Sequence, residues 1–201
     1  MTRTLQIAIA LFCVATSPVL SQFTNLPEVP PGIFTASTRI EIQSTAAAAW
    51  DALTNFPAYA NWNPFVRAAI VVDPTNLTLP SQYPVENRRL YLRTQAPPLP
   101  LPVSSSTPDN ILHTQVAYEN ITHVQPQLGR LAWRFAAPDE LLDAERWQAV
   151  SDIGDGKVLY ESREVFSGAL AEVLKEGMGK ALQEAFEAQG KGLKLLLEGG
   201  K

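Results

Sequence analysis

From Thr38 to Gln43 the chain alternates, with Ile40 and Ile42 on one side and polar residues on the other, which predicts a half-buried strand. The pattern then changes. Ala46–Leu53 is alanine-rich with Trp50 and Leu53, which favours a short helix capped by Ser44 or Thr45. Pro57 ends it, and a second short turn carries Phe56, Tyr59 and Trp62. Strand patterns follow at Phe65–Asp73, Asn87–Ala96, Asn110–Val124, Gly129–Phe135, Glu145–Ile153 and Lys157–Phe166. The last two flank Gly154-Asp155-Gly156, a strong hairpin signal. Pro74–Glu86 reads as a loop, and Pro97–Pro102 running into Val103–Asp109 as a polyproline-like one. After Gly168, Leu170, Leu174, Met178, Leu182, Phe186, Leu193 and Leu197 recur mostly every three or four residues, one apolar stripe along a helix reaching about Glu198. Gly177, Gly179, Gly190 and Gly192 inside that stripe signal close backbone approach or a kink. The expected fold is α+β: a curved antiparallel sheet of about seven strands around a long C-terminal helix, with two short helices after the first strand.

The N-terminus has a different texture. Arg3 precedes an apolar run from Leu5 to Ala15 broken only by Gln6, and Thr16, Ser17 and Pro18 end it. Val19-Leu20-Ser21 supplies the small residues of a cleavage site. Residues 1–21 are therefore expected to be a signal peptide cut after Ser21, which places the protein outside the cell or in the secretory lumen. The alternatives are an uncleaved anchor or a buried N-terminal helix. Cleavage would remove Cys13, the single cysteine, and leave no thiol and no integral membrane span. Residues 22–36, with Pro27, Pro30 and Pro31, read as an extended lead-in to a domain over 37–198. The sequons at Asn76 and Asn120 are candidate glycosylation sites.

Composition narrows the function classes. A chain of 201 residues with 46% hydrophobic and 18% charged side chains is globular. A net charge of −4 leaves no basic excess for a nucleic-acid backbone. One cysteine excludes a disulfide scaffold and a cysteine-based metal site. His113 and His123 would stand about 33 Å apart on one strand, too far to share a metal ion. There is no Gly-x-Ser-x-Gly, no His-Glu-x-x-His, no phosphate-cradling glycine loop and no nicotinamide or flavin motif. Neither cofactor nor metal is expected.

Several phrases carry a resemblance: Ala49-Trp50-Asp51-Ala52-Leu53, then Tyr59 to Trp62-Asn63-Pro64-Phe65, Leu131 to Trp133-Arg134, Gly154-Asp155-Gly156, and Glu164-Val165-Phe166 to Gly168. In this order they resemble the START-like (SRPBCC, helix-grip) superfamily, and its polyketide cyclase/dehydrase-type branch, over roughly Ser37 to Leu197. That resemblance implies a deep apolar cavity between sheet and long helix, and an apolar small-molecule partner: a polyketide, lipid or sterol. It implies either an enzyme closing or dehydrating a polyketide-type chain without cofactor, by an aldol or lactone-forming step, or a non-catalytic secreted carrier. A third reading is a secreted interaction protein that meets a host or cell wall through its glycosylated face.

Strand parity then names the residues that would serve such a cavity. If Asn120 points to solvent, Ala117, Glu119, Ile121 and His123 point inward unless a bulge resets the register. With Phe166 facing the core, Tyr160 and Glu164 share its face. The acid/base and oxyanion candidates are Glu164, His123, Tyr160, Glu119 and Arg67. The candidate walls are Trp62, Asn63, Trp133, Trp147, Met178, Leu182 and Phe186, with Asn61 beside them. Each has a plainer role available. Glu164 could pair with Arg134 or Arg163, His123 could sit at a strand end in water, and Tyr160 could tether the core. Trp133, Trp147, Met178 and Phe186 could be plain core. Leu99 and Leu101 could form a lid or an ordinary loop.

Overall fold

The structure, a computed structural model, describes residues 23–199. The proposed signal segment 1–21, with Cys13, lies outside the described residues. Seven strands form one antiparallel sheet: β1 (Phe34–Gln43), β2 (Val66–Val72), β3 (Arg89–Gln95), β4 (Thr114–Gln125), β5 (Arg130–Phe135), β6 (Asp143–Gly154) and β7 (Lys157–Ser167). Their order across the sheet is β1-β7-β6-β5-β4-β3-β2. Helix α1 (Ala46–Thr54) and a 3-10 turn (Phe56–Asn61) follow β1, and α2 (Ala171–Leu197) closes the chain against the sheet. The helix-grip architecture expected from the sequence is the one observed.

Local chemistry explains the boundaries. Thr45, not Ser44, caps α1: its side chain accepts the Ala48 amide at 3.2 Å. Strand β1 begins at Phe34, earlier than its alternation suggests, because its start pairs with the end of β7. There the Phe34 and Phe166 rings stack with centroids 4.3 Å apart. The β6–β7 turn places Gly154, Asp155 and Gly156 at positive φ (87°, 53° and 67°), which suits a tight hairpin with the twist of its strands. Upstream of β1, Asn25 is pinned to the outer sheet surface: its amide donates to Glu161 Oε2 at 2.9 Å and its side chain to the Leu128 carbonyl at 2.7 Å.

Three bulges decide which side chains face the concave, helix-covered side. In β2 the extra residue lies between Val66 and Ala68, in β4 between Ile121 and His123, and in β6 between Asp152 and Gly154. Among the described residues no helix is long and apolar enough to cross a membrane.

The helix glycines divide into two kinds. A Cβ on Gly190 would stand 2.8 Å from Thr38 Oγ1, and one on Gly192 2.5 Å from the Trp62 carbonyl oxygen. These two permit the close approach of α2 to β1 and to the turn after α1. Gly177 is exposed and has nothing within 4 Å. Gly177→Ala should therefore stabilise the fold by about 1 kcal/mol through helix propensity alone. Gly192→Ala should cost on the order of 1–3 kcal/mol, because a backbone oxygen must move. Urea denaturation of the two variants checks both signs.

Candidate functional site

Between the concave sheet face and α2 lies a cavity of about 260 Å³. Leu174, Met178 and Leu182, one turn apart on α2, form one wall, and Trp133, Phe135 and Phe166 form much of the other. Three charged-type side chains enter this apolar space from adjacent strands: Glu119 from β4, Arg146 from β6 and Glu164 from β7. Arg146 is directly opposite Glu164 in the β6–β7 ladder.

Arg146 is 2% exposed. Its Nε donates to Ser162 Oγ at 3.1 Å, and its Nη2 is buried with no hydrogen-bond partner. The guanidinium carbon stands 4.1 Å from the Phe186 ring centroid, 5.2 Å from that of Phe65 and 5.7 Å from that of Trp133. Those rings offer their negative faces to a cation that cannot shed its charge. Glu119 Oε2 is also buried and unpartnered. Burial pushes the Glu164 carboxyl up to about 7, with the Arg146 charge opposing the rise. Burial, then repulsion from Glu164, raises Glu119 well above the ordinary carboxylate range, again against Arg146. Two carboxyls and one guanidinium thus share an apolar pocket, with Glu164 able to exchange protons near neutral pH and Glu119 held toward its acid form.

Residues 33–198 match the family described as polyketide cyclase/dehydrase and lipid transport. The chain belongs to this family. Solved structures agree on the fold. A hypothetical protein from Helicobacter pylori superposes with a TM-score of 0.62 at 15% identity, covering 88% of this chain and 99% of that one. A START superfamily protein from Mycobacterium smegmatis gives 0.55 at 14% identity, over 83% and 99%. The major latex-like protein 151 of Panax ginseng gives 0.56 at 9% identity, over 82% and 97%. A search of curated proteins gave no match. The domain is a START-like, hydrophobic-ligand-binding one.

Within this cyclase/dehydrase-family domain, the residues named from sequence separate into groups. Glu119, Glu164, Trp133, Met178 and Leu182 line the cavity, and Phe186 packs beneath Arg146. His123 does not enter it. The bulge after Ile121 sets His123 opposite Ala132, on the outer face, where its ring lies 4.5 Å from that of Trp147. Trp147 is outside too, its Nε1 donating to Glu145 Oε2 at 3.0 Å. Tyr160 is wholly buried but short of the cavity. Its hydroxyl donates to Gln148 Oε1 at 2.7 Å and accepts from Gln189 Nε2 at 2.9 Å, tying β6, β7 and α2 together.

Arg67, the bulged residue of β2, holds loops rather than the cavity. It pairs with Asp109 at 3.0 Å and donates to the carbonyls of Ala60, Asn63, Ser104 and Thr107. Asn63 is buried, its Oδ1 accepting the Phe65 and Val66 amides, and Trp62 packs on Tyr59 with ring centroids 5.2 Å apart. Leu99 is buried in the proline-rich loop, its amide bound to the Pro64 carbonyl, and Leu101 abuts the Gly192 position. Neither lines the cavity. Asn76 and Asn120 are both exposed. Arg134 and Arg163 do not pair with Glu164. Arg134 binds Asp139 and Asp143, and Arg163 donates to the Pro27 carbonyl. Among the described residues no cluster of three or more His, Cys, Asp or Glu side chains could hold a metal ion.

Arg146 is the residue that parity alone misses. Counted from a tight turn with Gly154 opposite Lys157, Glu164 would face Trp147. The β6 bulge moves the pairing by one residue, so Arg146 turns in and Trp147 turns out.

A carboxyl held up at about 7 against an ordinary 4.5 stabilises the fold fully below pH 4.5. That contribution is lost as pH rises through about 7. Between pH 5 and pH 8, Glu164→Gln should therefore gain on the order of 2–3 kcal/mol relative to the wild type. Parallel pH profiles of the two proteins in urea titrations would place Glu164 in a water-like environment instead.

Proposed function

We propose that this domain encloses a compact apolar molecule and catalyses a cofactor-free ring closure or dehydration on it, with Glu164 and Glu119 as the proton-transfer pair. The carrying observation is the meeting of two carboxyls with raised pKa values and one guanidinium inside an otherwise apolar cavity. A pure apolar container gains nothing from three such groups, since burying each is costly. At about 260 Å³ the cavity falls just below the roughly 300–1,000 Å³ of common ligand sites, which favours a short or folded guest.

In an aldol closure, one carboxylate removes a proton from carbon alpha to a carbonyl. The resulting carbanion attacks a second carbonyl, whose oxygen takes a proton from the other, neutral carboxyl. Loss of water from the new alcohol follows with the same two groups in reversed roles. Arg146 fixes the oxygenated end of the chain and stabilises charge building on it. Confinement by α2 supplies the folded pose, and orientation of this kind is the main source of rate in intramolecular closures. Non-catalytic carriage is the competing use of the same cavity.

Mass spectrometry of organic extracts separates the two. The wild type should co-purify with a cyclised or dehydrated compound, and Glu164→Gln and Glu119→Gln with its open-chain or hydrated precursor. One unaltered compound from all three proteins would assign carriage instead.

Export and glycosylation belong to the same proposal. They are supported by the charge, apolar run and small-residue order of residues 1–21, and by the exposure of Asn76 and Asn120. A cut after Ser21 leaves Asn25 and its anchors on the sheet intact. Protein recovered from the medium should begin at Gln22 by N-terminal sequencing. An intact Met1 in that fraction would refute cleavage.

A further inference from the structure

We propose that the cavity selects guests with an acidic head group, a carboxylate on an apolar body, and that Arg146 makes the selection. This rests on the cavity being a ligand site, as above, and adds the chemistry of the guest.

Arg146 reaches the cavity from β6 with a single hydrogen bond spent on Ser162 Oγ. Its remaining compensation comes from the faces of Phe186, Phe65 and Trp133, which are neutral. Ion pairs within 4.0 Å form elsewhere in the described residues but not at Arg146. Nη2 of this cavity-lining arginine is therefore a buried charged donor without a partner. A guanidinium has five N–H donors, no acceptor, and a charge it keeps at any ordinary pH. Burying such a group without an anion is far costlier than burying it as a pair. With both carboxyls protonated, the pocket is one negative charge short.

The neighbouring groups fit the same guest. The ionisable side chains around Arg146 are Glu119 from β4, Glu164 and Tyr160 from β7 and Tyr59 from the turn after α1, while α2 brings no charged group to it, only Phe186 and the cavity-lining Leu174, Met178 and Leu182. Burial favours the neutral carboxyls, and a neutral carboxyl offers an O–H donor. Below neutral pH the polar end of the cavity is thus a set of converging donors around a fixed positive charge. A ketone oxygen would occupy part of it. A carboxylate, with two oxygens and four lone-pair sites, matches the planar fork of the guanidinium and can also accept from a carboxyl. A cationic guest would meet the arginine head-on. As pH rises through about 7, Glu164 ionises, competes for Arg146 and repels an anion.

The test uses matched acid and hydrocarbon probes of two sizes, benzoate with toluene and 1-naphthoate with 1-methylnaphthalene, titrated into the purified protein by calorimetry. At pH 6 the acid of at least one pair should bind tenfold or more tighter than its hydrocarbon. That preference should shrink at least threefold by pH 8.5, while hydrocarbon affinity stays level. Arg146→Met should bring the acid down to the hydrocarbon's affinity. Because this buried substitution could unfold the protein, the wild-type comparison and its pH dependence stand as tests without it. Equal affinity within both pairs, or a preference that grows with pH, overturns the acid-selective reading and leaves the cavity a ligand site. Hydrocarbon binding without acid binding does the same. No binding of any probe overturns both this inference and the ligand-site reading beneath it.

Discussion

A permanent positive charge held among aromatic rings is the constraint around which this domain is arranged. Arg146 cannot be neutralised by proton loss, so everything within reach must make its burial tolerable. Ser162 takes one N–H, Phe186, Phe65 and Trp133 turn their faces to the guanidinium, and Glu164 stands across the ladder from it. The same charge restrains the upward drift of both carboxyls, though burial still wins at Glu164 and lifts it to about 7. A polar centre poised in this way lies inside walls that are otherwise hydrocarbon.

The surrounding polar side chains hold that centre in place without joining it. The Tyr160–Gln148–Gln189 network links two strands to the long helix, so α2 is fixed by hydrogen bonds as well as by its apolar stripe. Arg67 does the equivalent for the loops, gathering four carbonyls and Asp109 into one buried knot. Both residues resemble catalytic candidates in a sequence, because both are polar groups in apolar company. Their hydrogen-bonding capacity is largely spent on the protein itself, whereas Arg146 Nη2 and Glu119 Oε2 are left unpartnered.

Much of this was legible in the amino-acid order. Strand patterns and turn signals located all seven strands, the alanine run behind Ser44 or Thr45 located α1, and the three-and-four spacing located α2 with its cavity-facing residues. Glu119 and Glu164 were placed on the correct face by parity alone. What parity could not supply was the register across bulges, since an extra residue in a strand leaves no compositional mark. His123 and Trp147, expected inside, lie outside for that reason, and Arg146, one position from Trp147, lies inside. Arg67 differs for another reason: its bulge directs it toward a loop whose course depends on long-range contacts with Ser104 and Thr107, and no local pattern encodes those.

The bulge between Asp152 and Gly154 has a consequence for how such domains diverge. Because it sets whether an arginine or a tryptophan lies opposite Glu164, loss of a single codon there, with β5 following the shift, would exchange the two faces of a strand at one stroke. The interior would pass from a charged receptacle to an indole-filled one without any substitution in its lining. Descendants of one ancestor could therefore differ in what they hold through indels in a surface hairpin, far from the hollow whose contents they change.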